Sequence, residues 1–245
     1  MTIASLAMYP FSHLRSAYDR FWDSVRVRLE VDGPDLDWVL DPLDACRRED
    51  LLLGQTCGWP LVTELASSVR VIGTFDCDVH GAHDGTYCSV LVSNSDDRLE
   101  VILDRRDLVV VANSPDSLSG WVSLRVAAAS AGRRLDTARW TGSHAASIDV
   151  VRNDSAHLAA IDAVTWAHIG TDELNVVGSG PRIPCLPLVT SGSSADAVVE
   201  QLRTALGDTV SDPAMADVCT TLKIRGFVVR DLADYQGVSG LAELW

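Results

Sequence analysis

The residues best suited to chemistry form a hydroxyl-rich turn between a predicted strand and a predicted helix, Asn113-Ser114-Pro115-Asp116-Ser117-Leu118-Ser119-Gly120-Trp121. Unpaired backbone N–H groups at a helix N-terminus, together with serine hydroxyls, can bind an anion without a formal positive charge. Ser117 and Ser119 are the expected donors. A serine at this position can also simply cap the helix, and the spacing leaves both roles open.

A second turn of the same kind is Thr141-Gly142-Ser143-His144. Ser143 could donate to a ligand, and His144 in the first helical turn could hydrogen-bond an oxyanion or a carbonyl. Because a helix N-terminus lowers the pKa of a histidine, a neutral imidazole is expected there. The alternative is a capping serine beside a surface histidine.

Other polar and aromatic side chains occupy equivalent positions, each following an apolar strand pattern. Asp162 ends the predicted strand Leu158–Ile161, where it could accept a hydrogen bond from a ligand or cap the next helix. Tyr9, Gln55 and Trp59 follow earlier strands, where they could line a pocket or pack at its rim.

A loop rich in Asp, His and Gly contains a conceivable metal site. Its zinc-ligand types are Cys77, His80, His83 and Cys88. Their spacing matches no standard zinc-finger pattern, so a metal remains a weak alternative. The sequence predicts no cofactor.

Signatures of the common enzyme classes are missing from the sequence. It contains no Gly-x-Ser-x-Gly elbow, Walker loop, dinucleotide glycine fingerprint or His-Glu-x-x-His motif. An enzyme is therefore the less favoured class, although a site without a standard motif stays possible.

Charge and composition restrict the partners and the compartment. The 245 residues carry a net charge of −14 with scattered acids and bases, which argues against nucleic acid or anionic membrane as a partner. No apolar run of about 18 residues predicts membrane insertion. No signal-peptide pattern precedes the first strand, and the six cysteines do not form a dense disulfide framework. We therefore expect a cytoplasmic protein, or a periplasmic or cell-surface one if an export signal was removed.

Short apolar runs alternate with helical patterns, which predicts an α/β fold of parallel strands joined by crossover helices. The alternation forms two blocks followed by a tail, and it predicts two lobes. Lobe 1 would contain residues 1–86 and 187–245, and lobe 2 residues 87–186. A ligand is expected in the cleft between the lobes, at the carboxyl ends of strands.

Several local predictions concern single strands, turns and helices. Trp38–Leu40 is predicted to be a strand, and Pro181–Pro187 a turn. The remaining chain is predicted to be a helical tail, with helices over Ser194–Leu206, Pro213–Leu222 and Leu232–Leu244.

Taken in order, these turns resemble the phosphate/phosphite/phosphonate substrate-binding proteins of ABC transporters. The resemblance runs from about Ala4 to Thr190 and is carried by five segments: Met8-Tyr9, Gly54–Pro60, Ser117-Leu118-Ser119-Gly120, Thr141–His144 and Ala159–Trp166. It implies a periplasmic-binding-protein type II fold, in which two α/β lobes are joined by two crossing strands and close over a small ligand.

The resemblance also implies roles for particular residues. In the family, a Ser-Thr-Ser-Gly pattern at a helix N-terminus grips the oxyanion; here Leu118 replaces the middle hydroxyl. His144, Asp162 and Tyr9 fall at the family's ligand-contacting positions. Trp59 and Trp166 favour an organic ligand with a flat or apolar part.

The functional prediction is a protein that binds an oxyanion-bearing or polar organic small molecule, with an ABC permease as partner if it is exported. One alternative is a cytosolic enzyme of the elimination or rearrangement type, with His144 as acid or base and Asp162 or Asp116 as its partner. A further alternative is a non-catalytic regulatory relative.

Overall fold

The computed structural model describes residues 2–29 and 33–241, and the chain divides into two α/β units. Unit 1 comprises Met1–Asp78, Ala82–Thr86 and Pro184–Gln236, and unit 2 comprises Val79–Gly81, Tyr87–Ile183 and Gly237–Trp245. The main crossings therefore follow Thr86 and Ile183. The segment that begins at Gly237 groups with unit 2, whereas the sequence assigned it to lobe 1.

Unit 1 is built on a five-stranded sheet. Its strands are β1 (Ile3–Ser5), β2 (Leu51–Gln55), β3 (Val69–Cys77), β9 (Pro187–Ser191) and β10 (Ile224–Val229). They lie in the order β1-β2-β9-β3-β10. β1 and β2 are parallel, and β9 is antiparallel to both β2 and β3. Its helices are α1 (Arg15–Leu29), α2 (Pro42–Cys46), α3 (Gly58–Pro60, continued by a π-helical turn Leu61–Leu65), α8 (Asp196–Ser211) and α9 (Ala216–Thr221), with 3-10 turns at Ser12–Leu14, Pro213–Met215 and Leu232–Tyr235.

The core of unit 1 follows from side chains that alternate across this sheet. Val69, Val71 and Val189 pack on one face against Leu61, Leu65 and Tyr235. α1 buries an apolar stripe of Tyr18, Phe21, Trp22 and Val25, spaced three and four residues apart. Phe21 meets Phe75 of β3 edge to face, with ring centroids 5.5 Å apart. The predicted helical stripe therefore packs as expected.

Unit 2 contains a second five-stranded sheet, of order β6-β5-β7-β4-β8. Its strands are β4 (Thr86–Ser93, of which Thr86 belongs to unit 1), β5 (Val110–Ala112), β6 (Arg139–Trp140), β7 (Leu158–Ile161) and β8 (Asn175–Pro184, of which Pro184 belongs to unit 1). β6, β5 and β7 run parallel, and β4 is antiparallel to β7. Its helices are α4 (Leu99–Leu103), a π-helical turn Leu118–Val122 that leads into α5 (Ser123–Ser130), α6 (His144–Arg152), α7 (Ala163–Ile169) and α10 (Gly237–Gly240).

Both faces of the unit 2 sheet are covered by helices. Leu158 and Ala160 of β7 pack with α4 and α5, whereas Ala159 and Ile161 pack with α6 and α7. All four residues of β7 are buried, so this strand appears in the sequence as an unbroken apolar run. That run is why its position was predicted correctly.

Three local predictions are wrong. Trp38–Leu40 is not a strand, because the Asp37 carboxylate accepts hydrogen bonds from the Val39 and Leu40 N–H groups and forms a turn. The tail is not all helical, because β10 pairs antiparallel with β3. Pro181–Pro187 is not a turn throughout, because β8 continues to Pro184; β8 lies at a sheet edge, where proline is tolerated. The end of the predicted helix Leu232–Leu244 lies outside the described residues.

Candidate functional site

The parallel strands of unit 2 bring three predicted turns to one end of the sheet, where these strands have their carboxyl ends. Val111 pairs with Arg139 and with Ala159, so β5 lies between β6 and β7 with its carboxyl end on the same side as theirs. The turn 113–117 follows β5, the turn 141–143 follows β6, and Asp162 follows β7. Ligands of open α/β sheets bind at such carboxyl ends.

Ser117 begins the helix that follows β5. Its backbone is extended, and its Oγ accepts a hydrogen bond of 2.9 Å from the Gly120 N–H. The side chain therefore caps the helix, which is the second of the two roles that the sequence left open for this serine. A hydroxyl that accepts in this way keeps its own O–H proton, so Ser117 can still donate one hydrogen bond.

Ser119 and His144 are joined by a hydrogen bond across the two helix starts. Ser119 Oγ lies 2.9 Å from His144 Nε2, although the residues are 25 apart in sequence. Ser119 is buried, and His144 is half-buried with an inaccessible Nδ1 atom. This contact joins the two turns that the sequence singled out separately.

The imidazole of His144 is held in its neutral form. Burial lowers its pKa below the ordinary value of 6.5, and the nearby Asp162 carboxylate and Ala160 carbonyl offset this only in part. A neutral imidazole presents one donor and one acceptor nitrogen. The Ser119–His144 pair can therefore reorganise its protons to donate to an incoming oxygen.

Hydroxyl groups fix the turn that carries His144. Ser143 Oγ accepts from the Ala146 N–H at 3.1 Å and caps α6. Thr141 Oγ1 lies 2.7 Å from the buried Ser147 Oγ and 3.2 Å from the Ala112 carbonyl oxygen. These bonds anchor the turn to the end of β5, so the imidazole is positioned by the fold.

Asp162 is a buried carboxylate, each of whose oxygens accepts a structural hydrogen bond. Oδ2 accepts from the Tyr87 hydroxyl at 2.5 Å, and Oδ1 accepts from the Thr165 N–H at 2.9 Å. The second bond caps α7, as the alternative role of Asp162 predicted. Tyr87 was not predicted as part of the site, because nothing in its local sequence indicates a partner 75 residues away.

Asn113 is a further residue of this cluster that sequence reasoning did not assign. Its Oδ1 atom is buried without a hydrogen-bond partner. A Cβ added to Gly120 would lie 1.9 Å from this atom and 2.9 Å from Ser117 Oγ. Gly120 is thus required by the close approach of Asn113 to the helix start, and the glycine in the Ser-Leu-Ser-Gly pattern is the signal that could have indicated it.

Three of the predicted residues, Tyr9, Gln55 and Trp59, belong to unit 1. Tyr9 follows β1 and Gln55 ends the neighbouring parallel strand β2, and both are buried. The Gln55 Oε1 atom has no hydrogen-bond partner. Trp59 is half-buried in α3.

Two further candidates from the sequence are the weak zinc alternative and Trp166. Within residues 2–29 and 33–241, no group of three or more His, Cys, Asp or Glu side chains is placed to hold a metal. Cys77, which the weak alternative grouped with His80, His83 and Cys88, is buried in β3 with its Sγ 3.8 Å from the Phe75 carbonyl oxygen. Trp166 packs against the core formed with α6 and α7.

Comparison with protein families gives one decisive match. The model of the family described as "ABC transporter, phosphonate, periplasmic substrate-binding protein" matches residues 56–235, well over half of the chain. The chain belongs to this family. No curated protein matches the chain significantly.

Solved structures agree with the family on the fold. PhnD1 from Prochlorococcus marinus, in complex with methylphosphonate, is 15% identical, with a TM-score of 0.75 and coverage of 99% of this chain and 95% of its own. A binding protein component of an ABC phosphonate transporter from Pseudomonas aeruginosa is 15% identical, with a TM-score of 0.74 and coverage of 96% and 83%. A protein from Xanthomonas citri bound to ATP is 16% identical, with a TM-score of 0.68 and coverage of 94% and 94%.

These findings confirm the predicted family, the α/β periplasmic-binding-protein fold and the class of function, a small-molecule substrate-binding protein. They do not favour the enzyme or the regulatory alternative. The family is periplasmic, which does not support the expectation of a cytoplasmic protein. Among the described helices, none combines the length and apolar character needed to cross a membrane.

The close approach of Asn113 to Gly120 predicts that Gly120→Ala destabilises this member of the phosphonate-binding family. The added methyl group must displace Asn113 or the helix start, at a cost of about 1–3 kcal/mol in the free energy of unfolding. Urea denaturation measures this. Gly207→Ala in α8 is the matched control: its Cβ would lie no closer than 3.8 Å to Phe227, and alanine favours a helix. Equal stabilities for Gly120→Ala and wild type would contradict the packing described.

The lowered pKa of His144 predicts a loss of stability in mild acid. The unfolded chain binds a proton near pH 6.5, whereas the folded protein resists it, so unfolding takes up a proton. The stability due to the neutral imidazole is complete above pH 6.5 and is lost as the pH falls through 6.5 towards the lower folded pKa. Melting temperatures of wild type and His144→Gln, compared from about pH 8 to about pH 5, should diverge in favour of the variant. Parallel curves would show that His144 is not held neutral.

Proposed function

We propose that this chain is a periplasmic binding protein that takes up an oxyanion-bearing small molecule at the unit 2 site formed by Ser117, Ser119, Ser143 and His144. The observation that carries the proposal is the 2.9 Å contact between Ser119 Oγ and His144 Nε2. It places two side chains with adjustable protons where the two longest helices that follow parallel strands of this sheet begin.

Helix starts give the site its preference for negative charge. The first N–H groups of each helix lack partners within the helix, and the aligned peptide dipoles make this end positive. The continuous helix Leu118–Ser130 and α6 both begin here. None of the four proposed side chains carries a formal charge at neutral pH, so the anion would be held by dipoles and hydroxyl groups.

The number of donors limits the ligand. Leu118 is buried in place of the middle hydroxyl of the family pattern, so one donor is replaced by core packing. Ser117 and Ser143 each cap a helix through the hydroxyl oxygen and retain one proton for a ligand. Among candidate ligands we place phosphonates and related phosphoryl compounds first, because hydroxyl donors at a helix N-terminus suit phosphoryl oxygens. PhnD1 in complex with methylphosphonate and the Xanthomonas citri protein bound to ATP support this class.

The proposal includes location and partner. The family is periplasmic and belongs to ABC transport, so an ABC permease is the expected recipient of the ligand. Cys46, Cys77, Cys185 and Cys219 are buried, which hinders intermolecular disulfide formation in an oxidising compartment, whereas Cys57 and Cys88 are half-buried.

Titration calorimetry with methylphosphonate tests the site. Wild type should bind, whereas Ser119→Ala should weaken binding about tenfold or more, because a buried oxygen of the ligand loses a donor. His144→Ala should have an effect of similar size. Ser130→Ala is the matched control, because it removes a serine hydroxyl from the far end of the same helix, where it donates to the Val126 carbonyl oxygen.

The result that would overturn the proposal is equally specific. If wild type bound none of methylphosphonate, phosphite and phosphate, the oxyanion assignment would be wrong. It would also be wrong if Ser119→Ala and Ser130→Ala bound methylphosphonate as tightly as wild type.

A further inference from the structure

Asp162 places a negative charge next to the proposed oxyanion site. Burial lowers the pKa of the His144 imidazole, and the Asp162 carboxylate is the charged group that opposes this effect. Asp116, in the turn after β5, adds a second acid to this end of the sheet. An oxyanion that binds to His144 therefore approaches other anions. Like charges repel strongly where water is excluded, so a stable complex requires a positive charge.

The arginines of the adjoining elements are bound to other partners. The first arginine of the helix after β5 is Arg125, whose guanidinium lies over the Trp121 ring. The first arginine of α6 is Arg152, its last residue, which pairs with Asp149. Arg139 of β6 donates to a backbone carbonyl oxygen ahead of β7, near the amino end of that strand. These contacts direct the three guanidinium groups away from the start of α6.

Asp162 itself is stabilised as a carboxylate. The hydroxyl of Tyr87, the titratable group that β4 contributes, donates to Oδ2 at 2.5 Å, and the Thr165 N–H donates to Oδ1 at 2.9 Å. Hydrogen bonds to the charged form of an acid favour that form. His168, the titratable group of α7, lies in the last turn of that helix, whereas Asp162 caps its first turn. A proton that enters the site is therefore left to the ligand or to His144.

The contact between His144 and Ser119 is compatible with both protonation states of the imidazole. A serine hydroxyl donates one hydrogen bond and can accept others, so Ser119 can donate to a neutral Nε2 atom or accept from a protonated one at 2.9 Å. When Nε2 carries the proton, the Ser119 hydrogen becomes available to the ligand. The Ala160 carbonyl oxygen also favours the charged imidazole. Protonation of His144 therefore supplies a donor for the ligand as well as a positive charge.

We infer that this protein takes up a proton together with its oxyanion and that the His144 imidazole holds this proton in the complex. The inference rests on the proposed function, because it concerns the control of the same site by pH. A bound anion within about 4–6 Å of the neutral imidazole favours the charged form about tenfold or more. The imidazolium is then paired with two anions, the ligand and Asp162. Affinity is therefore expected to fall as the pH rises, by up to about tenfold for each pH unit over which a whole proton is taken up.

The first test counts protons by titration calorimetry with methylphosphonate at about pH 8, in buffers that differ in ionisation enthalpy. The dependence of the binding enthalpy on the buffer gives the number of protons taken up. Wild type should take up nearly one proton per ligand, and His144→Gln less than half as many. His157→Gln is the matched control and should behave as wild type, because His157 accepts from the Val109 N–H at 2.9 Å near the amino end of β7, outside the site.

The second test locates the proton in the wild-type complex, so it does not depend on binding by the variant. The nitrogen resonances of His144, recorded with isotope-labelled histidine, should change from those of a neutral imidazole to those of an imidazolium when methylphosphonate saturates the protein. The phosphorus resonance of the bound methylphosphonate should remain that of the dianion.

Each contrary outcome identifies what has failed. If methylphosphonate binds while His144 stays neutral, the inference about the proton is wrong and the oxyanion site stands. The same conclusion follows if wild type takes up no proton, or if wild type and His144→Gln take up equal numbers. If methylphosphonate, phosphite and phosphate all fail to bind to wild type, the oxyanion site and the proton uptake are both wrong.

Discussion

The parallel alignment of β6, β5 and β7 is the constraint on which the rest of unit 2 depends. Parallel neighbours have their carboxyl ends at the same end of the sheet, so three turns that are distant in sequence must meet there. The alignment requires crossover connections, and α5 and α6 supply them while covering opposite faces of the sheet. Each crossover helix therefore begins near the carboxyl ends of the strands. This arrangement brings helix N-termini and polar side chains together in one place.

Helix capping and the proposed ligand binding draw on the same residues in this cluster. Ser117, Ser143 and Asp162 each satisfy a backbone N–H that a helix start would otherwise leave unpaired. The two serines still retain hydroxyl protons. The fold thus keeps these groups in fixed positions before any ligand arrives, which reduces the entropy lost on binding.

Much of this architecture could be predicted from the sequence, for identifiable physical reasons. β7 was found because a strand buried on both faces is a continuous apolar run, and α1 because its stripe repeats every three to four residues. β10 was missed because its pattern is weak, with Arg225 and Gly226 early in the strand, and because its place is set by pairing with β3. Pairings such as Ser119 with His144 and Tyr87 with Asp162 depend on tertiary structure, so local sequence could name the residues of the first pair but not their contact.

The edges of the unit 2 sheet have a consequence for how copies of this protein meet one another. An exposed edge strand offers unpaired N–H and C=O groups to a second chain and can begin aggregation. β8 interrupts that row with Pro181 and Pro184, which have no N–H to offer, and β6 at the other edge is only two residues long. Neither edge of this sheet is therefore a good template for a strand from a second copy.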